Sequence, residues 1–259
     1  MTDQRKLPSL SPQERQRYAR HLVLPQIGEV GQDKLKASRV LLVGVGGLGS
    51  AIALYLAGVG VGRIGLVDDD IVSLSNLQRQ VIHSTGWLGR PKVESAKHRL
   101  ADLNPDIKVI AHNMRFAGAS SLDMASEYDL IIDGTDNFQS RYDINAACLQ
   151  VGIPYVYGAI FRLEGQASVL CVNGGPCYRC VFPEPPSEPV MTGEQAGILG
   201  AIPGTIGTIQ ATEAIKILVG FGSPLVGRLL IYDGEGMQFE SIELAKNPDC
   251  PDCGHRARL

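Results

Sequence analysis

The sequence has no apolar run approaching the roughly 20 residues needed to cross a bilayer, and its opening stretch, Met1 to Leu10, lacks the apolar centre of a secretory signal. A cytoplasmic chain is therefore expected. A basic excess is also missing: 24 Lys and Arg against 27 Asp and Glu leave a net charge of −3. Nucleic acid and membrane surfaces are disfavoured as partners, because a basic stripe would show in that balance. Cysteine is sparse, with six residues and none between Val181 and Asp249. In a cytoplasmic protein such cysteines are poor disulfide candidates, so paired spacings read first as metal sites.

What is present is enough apolar sequence for a sizeable core. At 259 residues, 44% hydrophobic and 20% charged, the chain suits one large domain or one domain with an appended half. Its organising stretch runs from Arg39 to Arg79. Val40 to Val43 is a short, branched apolar run that reads as a strand buried on both faces. Gly44, Gly46, Gly47 and Gly49 then make a GxGxxG turn with an extra glycine, followed by an apolar helix over Ser50 to Ala57. Gly46 and Gly47, without side chains, let backbone approach a phosphate resting on free helix N–H groups. A second strand, Ile64 to Val67, ends at Asp68, which has the spacing for accepting hydrogen bonds from ribose hydroxyls. This much says only nucleotide.

The polar segment Ser75-Asn76-Leu77-Gln78-Arg79-Gln80 and then Lys92 narrow the choice. A dinucleotide held through backbone N–H groups needs no adjacent Arg and Lys, whereas a triphosphate with a departing pyrophosphate does. ATP is favoured over NAD.

Along the rest of the chain, Ser11, Pro12 and Glu14 form a capping-box helix start, and the helix is read through Arg15, Arg17, Tyr18, Arg20 and His21. Val93 to Leu103 reads as a helix, Ile107 to Ala111 as a strand, Ser121 to Glu127 as a short helix and Tyr128 to Asp133 as a strand. Thr135, Asp136 and Asn137 then sit past a strand end, where open parallel sheets place ligands. Asp136 suits Mg²⁺, a hard cation that takes a carboxylate and keeps waters. It also suits the N-cap of the following helix. Beyond it, Ile153 to Tyr157 and Ala167 to Val172 suggest an antiparallel half that extends the sheet. Pro183 to Gly197 is too proline-rich for a helix and reads as a mobile loop. A long helix is expected from Pro203, closed by Gly220, and then a hairpin over Arg228 to Tyr232 and Gln238 to Leu244.

Cys177 with Cys180 and Cys250 with Cys253 form two CxxC pairs. Four thiolates in two short chelating loops are what tetrahedral Zn²⁺ takes in closed structural sites. One such pair could be redox-active; two argue for a stabilising metal. Cys148 and Cys171 read as small buried hydrophobes.

The expected fold is α/β: a Rossmann-like nucleotide-binding fold with a mixed, mainly parallel sheet, extended by an antiparallel second half that carries a structural zinc site. The polar segment with Arg79, Lys92, the Thr-Asp-Asn strand end and the two CxxC pairs together resemble the ubiquitin-activating-type adenylating enzymes of bacteria. These activate small sulfur-carrier proteins for molybdopterin and thiamine synthesis. The resemblance covers Ser11 to Gly254. It implies a single adenylating domain over 1–259, with a nucleotide-binding half (11–150) and a carrier-binding half (151–259). It implies ATP, Mg²⁺ and Zn²⁺, with Asp68 on the ribose, Gly46 and Gly47 against the nucleotide, and Asn76, Arg79 and Lys92 on the phosphates. Asp136 would hold Mg²⁺, and Arg20 would reach the ATP of a partner in a homodimer. For Arg20 the alternative is a solvated basic face.

One departure from the family pattern stands out. Many relatives carry a cysteine in the mobile loop ahead of a Glu-Ala-Gly segment; here Gly193 falls near that place, and Thr192 is a poor substitute. The chain is thus expected to stop at the acyl-adenylate and to leave sulfur delivery to a separate sulfurtransferase, with no appended domain of that kind. The rival readings are an NAD-dependent oxidoreductase, for which no hydride-relay motif is found, and an adenylating relative acting on a peptide or a tRNA-linked carboxylate. A zinc-stabilised binding protein without catalysis is a third.

Overall fold

The computed structural model describes residues 8–172, 174–186 and 193–254. The chain enters through the expected capping box. Ser11 N–H donates to the Glu14 carboxylate at 2.7 Å and Glu14 N–H donates to Ser11 Oγ at 3.2 Å, with Pro12 opening α1 (Pro12–Arg17). The helix does not continue to His21. Tyr18 leaves helical geometry (φ −97°, ψ 14°), and a separate turn, α2 (Ala19–Leu22), follows. The break goes with burial of Tyr18, whose hydroxyl accepts from Asn104 Nδ2 at 2.9 Å.

The chain then builds α3 (Gly28–Ala37), β1 (Arg39–Val43), α4 (Gly47–Gly58), β2 (Arg63–Val67), α5 (Lys92–Leu103), β3 (Lys108–His112), α6 (Gly118–Ala125), β4 (Leu130–Asp133) and α7 (Phe138–Val151). Its second half holds β5 (Tyr155–Phe161), β6 (Glu164–Leu170), α8 (Tyr178–Val181), α9 (Gly193–Ala196), α10 (Ala201–Val219), β7 (Arg228–Asp233) and β8 (Gln238–Glu243).

All of these strands join one sheet in the order β3-β2-β1-β4-β5-β6-β7-β8. Pairing is parallel from β3 through β5 and antiparallel from β5 to β8. The expected mixed sheet is therefore present, and β5 is the strand at which direction changes. In the parallel part the strand order reverses at β1, which opens a crevice at the carboxyl ends of β1 and β4.

Both faces of β1, β2 and β4 are covered, so their central positions are buried consecutively rather than in alternation. Val40, Leu42, Ile64, Leu66 and Leu130 pack under α4, α5 and α10. Leu41, Val43, Ile131 and Tyr155 pack under α6 and α7. The long helix α10 is apolar almost all round because it lies between the sheet and α4. At Gly207 the two helices come so close that a Cβ would stand 2.7 Å from the Leu48 carbonyl. It opens at Ala201 rather than Pro203. The proline sits in the first turn, where its missing N–H costs no hydrogen bond. Gly220 closes it in the left-handed region at φ 86°.

Candidate active site

The glycine turn forms at the carboxyl end of β1, in the crevice. Gly44 has φ +90°, and a Cβ on it would lie 2.6 Å from the carbonyl of Gly134, just past β4. Only glycine fits where these two segments cross. Gly46 is the N-cap of α4 and offers no side chain to cap it, so among the described residues the first N–H groups of that helix have neither an intrahelical nor a side-chain partner. They are available to an anion.

The predicted polar residues gather around this turn. The aliphatic stem of Arg79 lies over Gly47, 3.6 Å from where a Cβ would be. Its guanidinium donates to Asn76 Oδ1 at 3.1 Å and to the Ser75 carbonyl at 3.3 Å. Asn76 Oδ1 also accepts from Gln80 Nε2 at 2.9 Å, which fixes the amide orientation and leaves its NH₂ as a donor. Asp68 is held at both oxygens: Oδ2 accepts from Val45 N–H at 2.7 Å and Oδ1 from Asp70 N–H at 2.9 Å. Burial raises the Asp68 pKa above the usual carboxylate range, and the charge of Lys92 partly opposes this. Lys92 is only 5% exposed, and its ammonium sits 2.9 Å from Asp70.

Asp136 is exposed just beyond β4. It is not the cap of the next helix. Asn137 is, its Oδ1 accepting from Ser140 N–H at 2.9 Å. Beneath this corner lies a network that sequence reasoning missed. The fully buried Asp133 accepts from Thr135 N–H at 2.8 Å, Thr135 O–H at 2.7 Å and Tyr155 O–H at 2.8 Å, and it pairs with Arg141 Nε at 3.6 Å. Burial is the largest influence on Arg141 and disfavours its charge, but the Asp133 carboxylate together with Tyr157, Tyr178 and Tyr155 more than offsets it and keeps the guanidinium protonated. His83 was missed as well; it bridges Val45 O and Ser95 Oγ at 3.0 Å each. His83 acts through Val45 and Ser95, and Asp133 through Arg141 and Tyr155 as well as its neighbour Thr135, so neither carries a spacing signal.

Arg20 is not brought into this cluster. It is exposed on α2, and among the described residues no hydrogen bond or ion pair holds it. Its neighbours differ: Arg15 pairs with Glu29, and Arg17 pairs with Asp106 at 3.5 Å. Of the departing loop, 187–192 lie outside the described residues, Thr192 among them; Gly193 opens α9.

The four paired cysteines converge in a cluster of their own. Cys177 Sγ lies 3.8 Å from Cys180 and 3.6 Å from Cys250, and Cys180 lies 3.4 Å from Cys253. All four Sγ atoms fall within 4.8 Å of one another. Tetrahedral Zn²⁺ with Zn–S bonds near 2.3 Å requires S···S of about 3.8 Å, so the donor set fits zinc. Asn145 on α7 holds both loops, accepting from Tyr178 N–H and donating to Asp252 at 2.8 Å each; Arg179 pairs with Asp252 at 3.2 Å. Cys148 is buried in α7, where burial pushes its thiol pKa up, as a packing role requires. Cys171 lies just after β6 at φ 61°, its Sγ 3.5 Å from Asn145 Oδ1.

The chain is similar in sequence to named relatives and in fold to solved structures. The chain is 48% identical over 248 residues to the SAMP-activating enzyme E1 of Haloferax volcanii, covering 95% of this chain and 91% of that one. It is 43% identical to the sulfur carrier protein adenylyltransferase of Thermus thermophilus, covering 93% and 92%. Against the adenylyltransferase and sulfurtransferase MOCS3-1 of Zea mays it is 46% identical but spans 52% of that longer chain. The solved structure of E. coli MccB with ATP superimposes with a TM-score of 0.81 at 23% identity, covering 92% of this chain and 75% of that one, a likeness of fold. The ThiF family profile matches residues 18–252, nearly the whole described chain, and with those identities it establishes that this chain belongs to the ThiF family.

Proposed function

We propose that this chain is an ATP-dependent adenylyltransferase that activates the C-terminal glycine carboxylate of a small ubiquitin-like sulfur carrier, in the service of molybdopterin or thiamine synthesis. The observation that carries this reading is the packing of Arg79 over Gly47, with the buried Lys92 beside Asp68 and Asp70. Two cations at a glycine turn suit a triphosphate better than a dinucleotide. The names of the two relatives matched over more than nine-tenths of their length support the carrier as substrate.

In the reaction a carboxylate oxygen of the carrier bonds to the α-phosphorus of ATP while the α-phosphorus to bridging-oxygen bond breaks and pyrophosphate leaves. The nucleophile is already ionised at neutral pH, so no general base is needed. The chain's task is positioning and charge neutralisation. N–H groups at the start of α4 and the Asn76 amide donate to phosphate oxygens, Asp68 accepts from the ribose, and Arg79 and Lys92 stabilise the charge that moves onto the leaving group. Asp136 is the carboxylate that would hold Mg²⁺, which when bound would supply positive charge against the phosphates. Cys177, Cys180, Cys250 and Cys253 would hold Zn²⁺ as a closed structural site. Arg20, exposed and unpaired among the described residues, is assigned to the ATP of the partner in a homodimer. The whole of 1–259 is assigned to one adenylating domain, acting in the cytoplasm with a separate sulfurtransferase.

ATP–pyrophosphate exchange with purified candidate carriers, with and without the terminal glycine, tests the reading. Exchange that requires the glycine is the expected result. Exchange indifferent to it overturns the carrier assignment.

A further inference from the structure

The peptide between Val45 and Gly46 is clamped from outside the glycine turn. His83 is 7% exposed, with Nε2 3.0 Å from the Val45 carbonyl and Nδ1 3.0 Å from Ser95 Oγ. A carbonyl oxygen only accepts, so Nε2 carries the proton and Nδ1 accepts from the serine hydroxyl. Burial lowers the His83 pKa, the hydrogen bond to the Val45 carbonyl opposes this and the nearby charge of Lys92 adds to the lowering, so the net direction favours the neutral ring. On its other side Val45 donates its N–H to Asp68 at 2.7 Å. Both peptide planes that meet at Val45 are thus fixed by side chains.

This matters because Val45 lies between Gly44 and Gly46, the residues least able to fix a peptide plane by themselves. In a trans peptide the C=O and the next N–H point in opposite directions. Drawing the Val45 carbonyl toward His83 therefore turns the Gly46 N–H the other way. A flipped plane would present a carbonyl in its place, and a carbonyl repels an anion. The geometry points to His83 as a positioning residue for nucleotide binding: its Nε2–H, with Ser95 selecting the tautomer, holds the turn in its donor-facing form. The inference rests on the nucleotide assignment above.

The test uses the full chain, titrated with MgATP by calorimetry and assayed by ATP–pyrophosphate exchange. His83→Leu removes the donor. It is expected to raise the ATP Kd and KM by about tenfold while kcat changes little, the pattern of lost uniform binding. His83→Gln keeps an N–H₂ at the Nε2 position and is expected to restore most of the affinity. Imidazole ¹⁵N spectra of the unaltered chain are expected to show a protonated Nε2 and an unprotonated Nδ1. A protonated Nδ1 with a bare Nε2 overturns the inference whether or not His83→Leu folds. So does His83→Leu binding as tightly as the unaltered chain, or equal weakening by Leu and Gln. An unaltered chain that binds no ATP overturns this inference and the nucleotide assignment together.

Discussion

The Lys92 ammonium stands 2.9 Å from the Asp70 carboxylate, and while Lys92 is buried, the Asp70 side chain is 71% exposed. A buried cation held by a carboxylate that water can solvate is free to exchange partners when phosphate oxygens arrive. Lys92→Met is accordingly expected to lower kcat in ATP–pyrophosphate exchange by ~10²-fold or more, since its charge acts chiefly in the transition state. A change confined to KM would deny Lys92 that role.

Asp136 and Asn137 are separable by mutation. Asp136→Ala is expected to abolish Mg²⁺-dependent exchange with Tm and zinc content unchanged, because Asp136 does not cap α7. Asn137→Ala removes the cap bond to Ser140 and is expected to cost about 1 kcal/mol of stability. Thermal unfolding of the two variants distinguishes them.

Asp68 carries a sign that can be checked. Burial, opposed in part by Lys92, raises its folded-state pKa above the unfolded value. Its contribution to stability is therefore present below the unfolded pKa and is lost as pH rises through the folded one, so at pH 7 the ionised group costs stability. Asp68→Asn removes that cost but turns one oxygen that accepts a backbone N–H into a donor, so Tm at pH 7 is expected to fall rather than rise, with ATP binding weakened about tenfold. In the unaltered chain, ATP affinity is expected to fall as pH drops through a value above the usual carboxylate range, a dependence that Asp68→Asn removes. A pH-independent affinity in the unaltered chain would contradict the ribose assignment.

The cysteine quartet is expected to hold one zinc per chain. Cys253→Ser, or stripping with a chelator, is expected to lower Tm by about 10 °C or more, because the metal closes a loop between α8 and the stretch after β8. Metal analysis alongside calorimetry checks it. Retained zinc in Cys253→Ser would reject the four-thiolate set.

The proposed action of Arg20 across a two-fold interface can be tested by mixing variants. Arg20→Ala and Lys92→Ala are each expected to be nearly inactive. Random re-assortment of the two gives mixed dimers with one intact site, so activity is expected to recover to roughly a quarter of normal. No recovery in dimers shown to have exchanged would return Arg20 to the solvated surface.

The parallel half was legible because its signals are local. Val40 to Val43 is apolar at consecutive positions, the glycines sit where the chain must cross Gly134, and the two CxxC pairs carry their own spacing. What could not be read depends on distant partners. The break at Tyr18 follows from a contact with Asn104, and the clamp at Val45 from His83. Asp136 and Asn137 are both competent caps, and only the backbone path out of β4 decides that Asn137 takes the bond. Asn145 looks like any helix asparagine until α8 and the residues around Asp252 are folded against it.

The reversal of direction at β5 sets how the rim of the crevice is made. Strands β1 and β4 deliver single loops there, each leading into a helix, whereas β5–β6 and β7–β8 deliver hairpin ends, Phe161 to Glu164 and Asp233 to Gln238, on that same side. A hairpin end can lengthen or change composition without disturbing the strands that carry it. Bond-making hardware and the surface beside it can therefore diverge at different rates in one sheet.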